Sequence, residues 1–442
     1  MKIQLSDHFT YGRLLRFTFP SVVMMVFTSI YGVVDGLFVS NVAGKTAFAA
    51  VNFIMPFLMM LGTAGFMFGT GGSALVAKTL GERKPEQANR IFSLLIYGAL
   101  AVGIALAGLG QGILRPVARA MGAEELLLED CVRYGRIIIW ANPAFVLQMA
   151  FQSFFITAEK PGLGLWMTVI SGVANMVLDA LFVMVFRWGI EGAAAATAVS
   201  QLIGAVAPLW YFGRKNTSLL QLGKTSFDGK ALLQTCTNGS SELMSNISMN
   251  LVGMLYNMQL MAYAGENGVA AYGVLMYVNF VFLAIFIGYS IGSAPVISFH
   301  YGADNRQELR NILKKSFVVI GLTSLAMLAL GLVLGKSLSR IFVSYDEALF
   351  EMTARGFRIF SFSFLFAGLA IFGSSFFTAL NNGLVSAVIS FLRTLVFQIG
   401  AVFLLPLIWK LDGIWLSVVV AEFAAAALSL AFIAGRKKKY GY

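Results

Sequence analysis

Twelve apolar stretches, each long enough to cross a bilayer, constrain this chain more than any other feature of it. A spanning helix needs about 20 consecutive, mostly apolar residues. Such runs occupy Phe17–Val42, Ala47–Ala77, Ile91–Leu114, Ile137–Ala158, Gly162–Phe186 and Gly192–Phe212 in the first half. Six more lie at Met244–Ala264, Gly268–Phe299, Phe317–Leu334, Ile359–Leu380, Gly383–Ile408 and Gly413–Ile433. In hydrocarbon a segment must satisfy its own backbone polar groups, so these runs predict helices and exclude open sheets. With 58% hydrophobic and 12% charged residues, the chain has too little polar surface for an ordinary soluble domain.

Twelve crossings return the chain to its starting side. Loops on that side carry 20 of the 32 Lys and Arg residues, the opposite loops carry 11, and Arg393 falls within a span. The positive-inside rule therefore predicts cytoplasmic termini. The net charge of +11 is broken into short clusters between apolar runs, which is not the continuous basic face of a nucleic-acid binder. Cys131 and Cys236 fall toward opposite sides of the membrane, so no disulfide between them is expected. His8 and His300 have no metal-ligand spacing around them, and no nucleophile elbow, HExxH or phosphate-binding glycine loop occurs. Neither an enzyme nor a cofactor is expected.

Shifted by 221 residues, the chain aligns with itself. Ala43-Gly44-Lys45-Thr46-Ala47-Phe48-Ala49-Ala50 falls on Ala264-Gly265-Glu266-Asn267-Gly268-Val269-Ala270-Ala271, and the polar loop from Gly81 falls on the loop from Gly302. Six spans per copy is an even number, so the repeats enter the membrane in the same orientation. The expected architecture is all-α, with two parallel six-helix lobes (1–213 and 231–442) joined by a cytoplasmic linker (214–230). Such a pair encloses a cleft at its interface, where transporters of this construction bind their cargo.

Acidic residues in or near the spans are few: Asp35, Asp179, Glu242 and Glu422. A carboxylate at mid-membrane costs about 3 kcal/mol even on the lenient insertion scale, so it marks function by default. From the helical rise, Asp35, Asp179 and Thr197 all lie about 9–12 Å below the surface opposite the termini. Asn175 precedes Asp179 by four and Tyr31 precedes Asp35 by four, placing each pair on one helix face. Gln148, Gln152 and Gln201 extend the polar interior of the first half. Two close carboxylates in low dielectric call for a bound proton or a small cation held by oxygen. The 221-residue shift places Asp35 on Tyr256 and Thr197 on Val418, and a shift of 219, which aligns the fifth span with the eleventh, places Asn175 on Thr394 and Asp179 on Gln398, so both acids vanish from the second copy. A purely architectural acid would recur, whereas one ion site suffices for one transporter. Glu242 and Glu422 remain as acids of the second half, with Arg393 as a partner for one of them or a second proton site as the alternative. Pro20 frees a backbone carbonyl inside the first span and is a hinge candidate.

Tyr31-Gly32-Val33-Val34-Asp35 in the first span, Gly81-Glu82 after the second, Ser171-x3-Asn175-x3-Asp179 in the fifth, and Gly192 to Thr197-x3-Gln201 in the sixth come in that order within twelve spans. In this the chain resembles the multidrug and toxic compound extrusion (MATE) family, and particularly the prokaryotic branch containing DinF and MepA. The resemblance covers essentially the whole chain. It implies a V-shaped pair of lobes in a prokaryotic plasma membrane, exporting amphipathic, often cationic, small molecules in exchange for inward Na+ or H+. It also implies a cation site of Asp35, Asn175, Asp179 and Thr197, with Tyr31, Tyr134 and Gln152 lining the same cavity; Gln148 and Gln201 are placed with these in the substrate cavity. A monomer without nucleic-acid partners is expected. A flippase for a lipid or lipid-linked precursor is the alternative on the same architecture.

Overall fold

In a computed structural model, the described residues are 3–38, 45–123, 125–343 and 346–442, without the side chains of 33–38, 45, 46, 48 and 342. The first half folds into α1 (Tyr11–Phe38), α2 (Lys45–Gly81), α3 (Pro85–Ala120), α4 (Glu125–Thr157), α5 (Pro161–Asp179, continued by a wide π-helical turn at Ala180–Val185) and α6 (Gly189–Gly213). Then comes one helical run, Gly229–Gly302, of 74 residues. As a single rod it would be about 110 Å long, more than twice the bilayer. It is instead two spans. At Gly265 the backbone turns to φ 62° and ψ −153°, a conformation that glycine adopts without steric cost, which divides the run into α7 (229–264) and α8 (266–302). Tyr256 and Tyr272 stack across this turn at 5.4 Å and 4°, so the chain doubles back on itself.

The remaining spans are α9 (Arg306–Val343), α10 (Glu347–Ala379), α11 (Gly383–Leu404, with a π turn at Leu392–Val396) and α12, the part of Pro406–Tyr440 beyond a non-helical Lys410. The described residues thus hold eleven helices long and apolar enough to cross a membrane, and the division at Gly265 makes twelve crossings. Most helices outrun their apolar stretches. The seventh, expected from Met244 or from an earlier start in the polar stretch at Leu232, begins at Gly229, because the Asp228 side chain accepts from the Lys230 and Ala231 amides and caps it.

The repeat is written into the backbone. Left-handed residues close the turns at Arg83 and Asp304, at Glu159 and Asn381, and near Arg187 and Lys410, offset by 221, 222 and 223 residues. Its twofold relation is most direct where α2 crosses α8. A Cβ on Gly81 would fall on the Phe299 carbonyl, and one on Gly302 would fall on the Lys78 carbonyl, which are the same two contacts exchanged between the copies. Membrane helices have no hydrophobic drive toward each other and associate by such backbone approach. Gly71 and Gly239 join α2 to α7 in the same manner. These cross-half contacts lie in the half of each span nearer the termini. At the other end, the packed cluster of Ala47, Ile54, Leu114, Tyr134 and Ile190 belongs to the first half alone. The glycine contacts between the two halves thus sit at the end bearing the termini.

Replacing Gly81 with Val is expected to lower the melting temperature of the detergent-solubilised protein, reflecting an overpacking cost of about 1–3 kcal/mol. Gly108→Val, at a glycine with nothing within 4 Å of its Cβ position, is expected to leave it unchanged.

Candidate functional site

α5 carries the sequence Ser171, Asn175, Asp179 along one face, and that face turns inward: all three are buried, Asp179 at 0% exposure. α6 meets it with Thr197, Ser200 and Gln201. Asn175 Nδ2 lies 3.5 Å from Thr197 Oγ1, and Ser171 Oγ donates to the Ser200 carbonyl at 2.7 Å. From α4, Gln148 Nε2 donates to Ser171 Oγ at 3.1 Å. Ser171 is therefore the joint between three helices. In the sequence it appears only as the first letter of the Ser-x3-Asn-x3-Asp pattern.

α1 and α5 run parallel and touch where Tyr31 and Phe27 pack against Gly172. One turn farther along, the backbone of Asp35 reaches the height of α5 between Asn175 and Asp179. The side chain of Asp35 lies outside the described residues. The repeat supplies a view of the equivalent pairing. In the second half, Tyr256 and Gln398 occupy the positions of Asp35 and Asp179, and Tyr256 Oη donates to Gln398 Oε1 at 2.6 Å.

The other candidate residues are distributed more widely. Gln148 and Gln152 border a small cavity of about 10 Å³ with Thr168, Gly204 and Pro208, room for no more than a single water. Gln201 is buried on α6. Tyr134 is packed into the apolar cluster at the far end of the first half and does not border that cavity, and neither does Tyr31. Pro20 lies inside α1, which continues through it.

In the second half, Arg393 pairs with Glu422. Its Nε reaches Glu422 Oε2 at 2.9 Å and its second terminal nitrogen reaches Oε1 at 3.0 Å, a two-pronged bridge between α11 and α12. Both side chains are mostly shielded, at 14% and 7% exposure. Glu242, partly exposed on α7, lies within electrostatic range of the same Arg393, and Asn246 Nδ2 donates to its backbone carbonyl at 2.8 Å.

The family model MatE matches residues 20–181 and matches again over residues 243–404. The chain belongs to the MatE family. Among its relatives, the multidrug export protein MepA of Staphylococcus haemolyticus (strain JCSC1435) is 24% identical over 419 residues, covering 94% of this chain and 92% of the relative. MepA of Staphylococcus aureus (strain MRSA252) is 22% identical over 423 residues, covering 95% and 92%. In fold, the chain superposes on a MATE transporter crystallised with MaL6 at a TM-score of 0.93, with 20% identity and 98% of both chains covered. It fits an outward-facing multidrug resistance MATE family transporter equally well, at 0.93 and 20%, covering 98% of this chain and 97% of that one. As a MATE protein this chain is a multi-pass membrane transporter and not an enzyme, with the family's ion-coupled, alternating-access architecture.

Removing one partner of a buried ion pair strands the other charge, at a cost of about 3–5 kcal/mol. Glu422→Gln is expected to destabilise the protein on that scale in thermal melts, while the double replacement Arg393→Met with Glu422→Leu recovers most of the loss.

Proposed function

We propose that this MATE protein is a cation-coupled antiporter that exports amphipathic, often cationic, drugs or toxic compounds, with Asp35, Asn175, Asp179 and Thr197 forming the site of the coupling ion. Two lobes, 1–213 and 231–442, move against each other about the linker 214–230. The termini face the cytoplasm of a prokaryotic plasma membrane, and a monomer carries out the cycle. The observation that carries this reading is the buried Asp179 carboxylate, one turn from an amide and a hydroxyl already in contact. The Tyr256–Gln398 bond supports the pairing with Asp35, since the equivalent positions of the second copy meet within hydrogen-bond distance. The MepA relatives, named as multidrug export proteins, support the cargo class.

The physical sequence follows from charge burial. Two carboxylates in a low-dielectric lobe repel each other until a proton or a Na+ held by oxygen ligands neutralises them. Only hydroxyl, amide and carboxylate oxygens are offered, which suits either ion. If the ion binds one arrangement of the lobes better than the other, its occupancy shifts their equilibrium, and drug affinity shifts reciprocally. The site lies nearer the face away from the termini, so an inward ion gradient loads it from outside and favours release of the drug there. In this reading Tyr31, Gln148, Gln152 and Gln201 belong to the neighbouring substrate cavity, with Tyr134 in the apolar cluster outside it, Glu242 is a second-lobe acid available as a further proton site, and Pro20 is the hinge candidate of α1.

Drug-evoked counter-ion flux in proteoliposomes, with Na+ and pH gradients imposed separately, tests the proposal. Wild-type protein is expected to couple the two flows. Asp179→Asn and Asp35→Asn are each expected to abolish ethidium efflux while folding normally, and wild-type efflux from either single variant would sink the ion site. Translocation of a labelled lipid headgroup without any drug-driven ion flux would put the flippase reading in its place.

A further inference from the structure

The residues ahead of α1 are not a free tail. Leu5 and Phe9 are fully buried, in one cluster with Ile156 of the first half and with Leu309 and Ile312 of the second. The Leu5 amide donates to Glu159 Oε1 at 2.8 Å, and Glu159 sits in the α4–α5 turn of the first lobe. The Phe9 amide donates to Glu308 Oε1 at 2.8 Å, and His8 Nδ1 lies 2.7 Å from Glu308 Oε2. Glu308 belongs to the first turn of α9, in the second lobe. The Phe9 carbonyl in turn accepts from Asn311 Nδ2 at 3.0 Å and from Lys315 Nζ at 2.7 Å. Both acids are buried, Glu159 at 8% and Glu308 at 5% exposure.

One short segment is thus anchored to both lobes at the end where they are joined. The four chain steps from Leu5 to Phe9 reach about 14 Å when fully extended. The Glu159 and Glu308 carboxylates cannot move apart beyond that reach plus the hydrogen bond of 2.8 Å at each end unless one anchor lets go. Releasing Glu308 costs more than one bond, because its buried carboxylate loses a backbone donor while the Phe9 carbonyl loses two side-chain donors.

We propose that residues 3–10 form a latch between the lobes, in which Glu308 and Asn311 are positioning residues that hold the terminal end shut, and that the latch must release from α9 before cargo can enter from that side. The proposal rests on the exporter reading only in requiring the lobes to part at this end.

Spin labels on exposed Gln87 of α3 and exposed Gln307 of α9, in full-length protein with Cys131 and Cys236 replaced by serine, report that separation directly. Glu308→Ala is expected to raise the long-distance population relative to the short one by roughly tenfold, the factor set by an unmade hydrogen bond. Asn311→Leu, close in size, is expected to shift it in the same direction and covers the case in which the Glu308→Ala protein fails to fold. Glu82→Gln, whose partners are the exposed Lys84 and the half-buried Lys78, is the control expected to match wild type. Distance distributions from folded Asn311→Leu protein that coincide with wild type would overturn the latch. Because distance and not transport is read, a variant that opens while wild-type protein moves no drug would defeat the exporter reading and leave the latch standing.

Discussion

Charge in hydrocarbon is expensive, and this molecule meets that cost differently in its two lobes. In the second half Arg393 closes on Glu422 with hydrogen bonds to both carboxylate oxygens across α11 and α12. In the first half Asp179 is fully buried on the face of α5 that also carries Asn175 and Ser171. A permanent ion pair is static, whereas a carboxylate shell that accepts an external cation has two states of different stability. On the proposed reading, acids present in one copy and replaced at the equivalent positions of the other, where Tyr256 meets Gln398, are what give a repeated scaffold its direction.

The scaffold depends on small residues at the twofold. Because lipid offers no hydrophobic drive between helices, the lobes are held by backbone approach at Gly81 against Gly302 and at Gly71 against Gly239. Bonds of this kind are short-ranged: the surfaces either touch or separate, with little between. That bistability suits alternating access better than a broad greasy interface would. The segment around Leu5 and Phe9 adds hydrogen bonds to buried carboxylates at the same end, a stronger and more directional closure than glycine contact alone.

Much of this was legible before any coordinates. Hydropathy located the spans, because the membrane requires about 20 apolar residues wherever a helix crosses it. The shift of 221 residues foretold a repeat that reappears as paired left-handed residues, among them Arg83 and Asp304. The inward face of α5 followed from the four-residue spacing of Ser171, Asn175 and Asp179. Helix ends were less legible: α7 begins at Gly229 because Asp228 caps it, a local hydrogen bond that outweighs the polar composition of the next dozen residues. The roles of Glu159 and Glu308 could not be read at all. Loop acids are usually solvated, and their partners lie 154 and 299 residues away.

The sequence by itself determined how many times the chain crosses the membrane, that it does so twice over in one orientation, and which side chains are too polar to rest in lipid. Those properties follow from local composition and period, which the solvent reads one segment at a time. Only the tertiary structure decided that Arg393 closes its ion pair on Glu422, that Ser171 joins three helices, and that Tyr134 packs away from the glutamine cavity. Each of these depends on which faces of distant helices meet and at what height, and that is set by close packing between spans that no stretch of sequence contains.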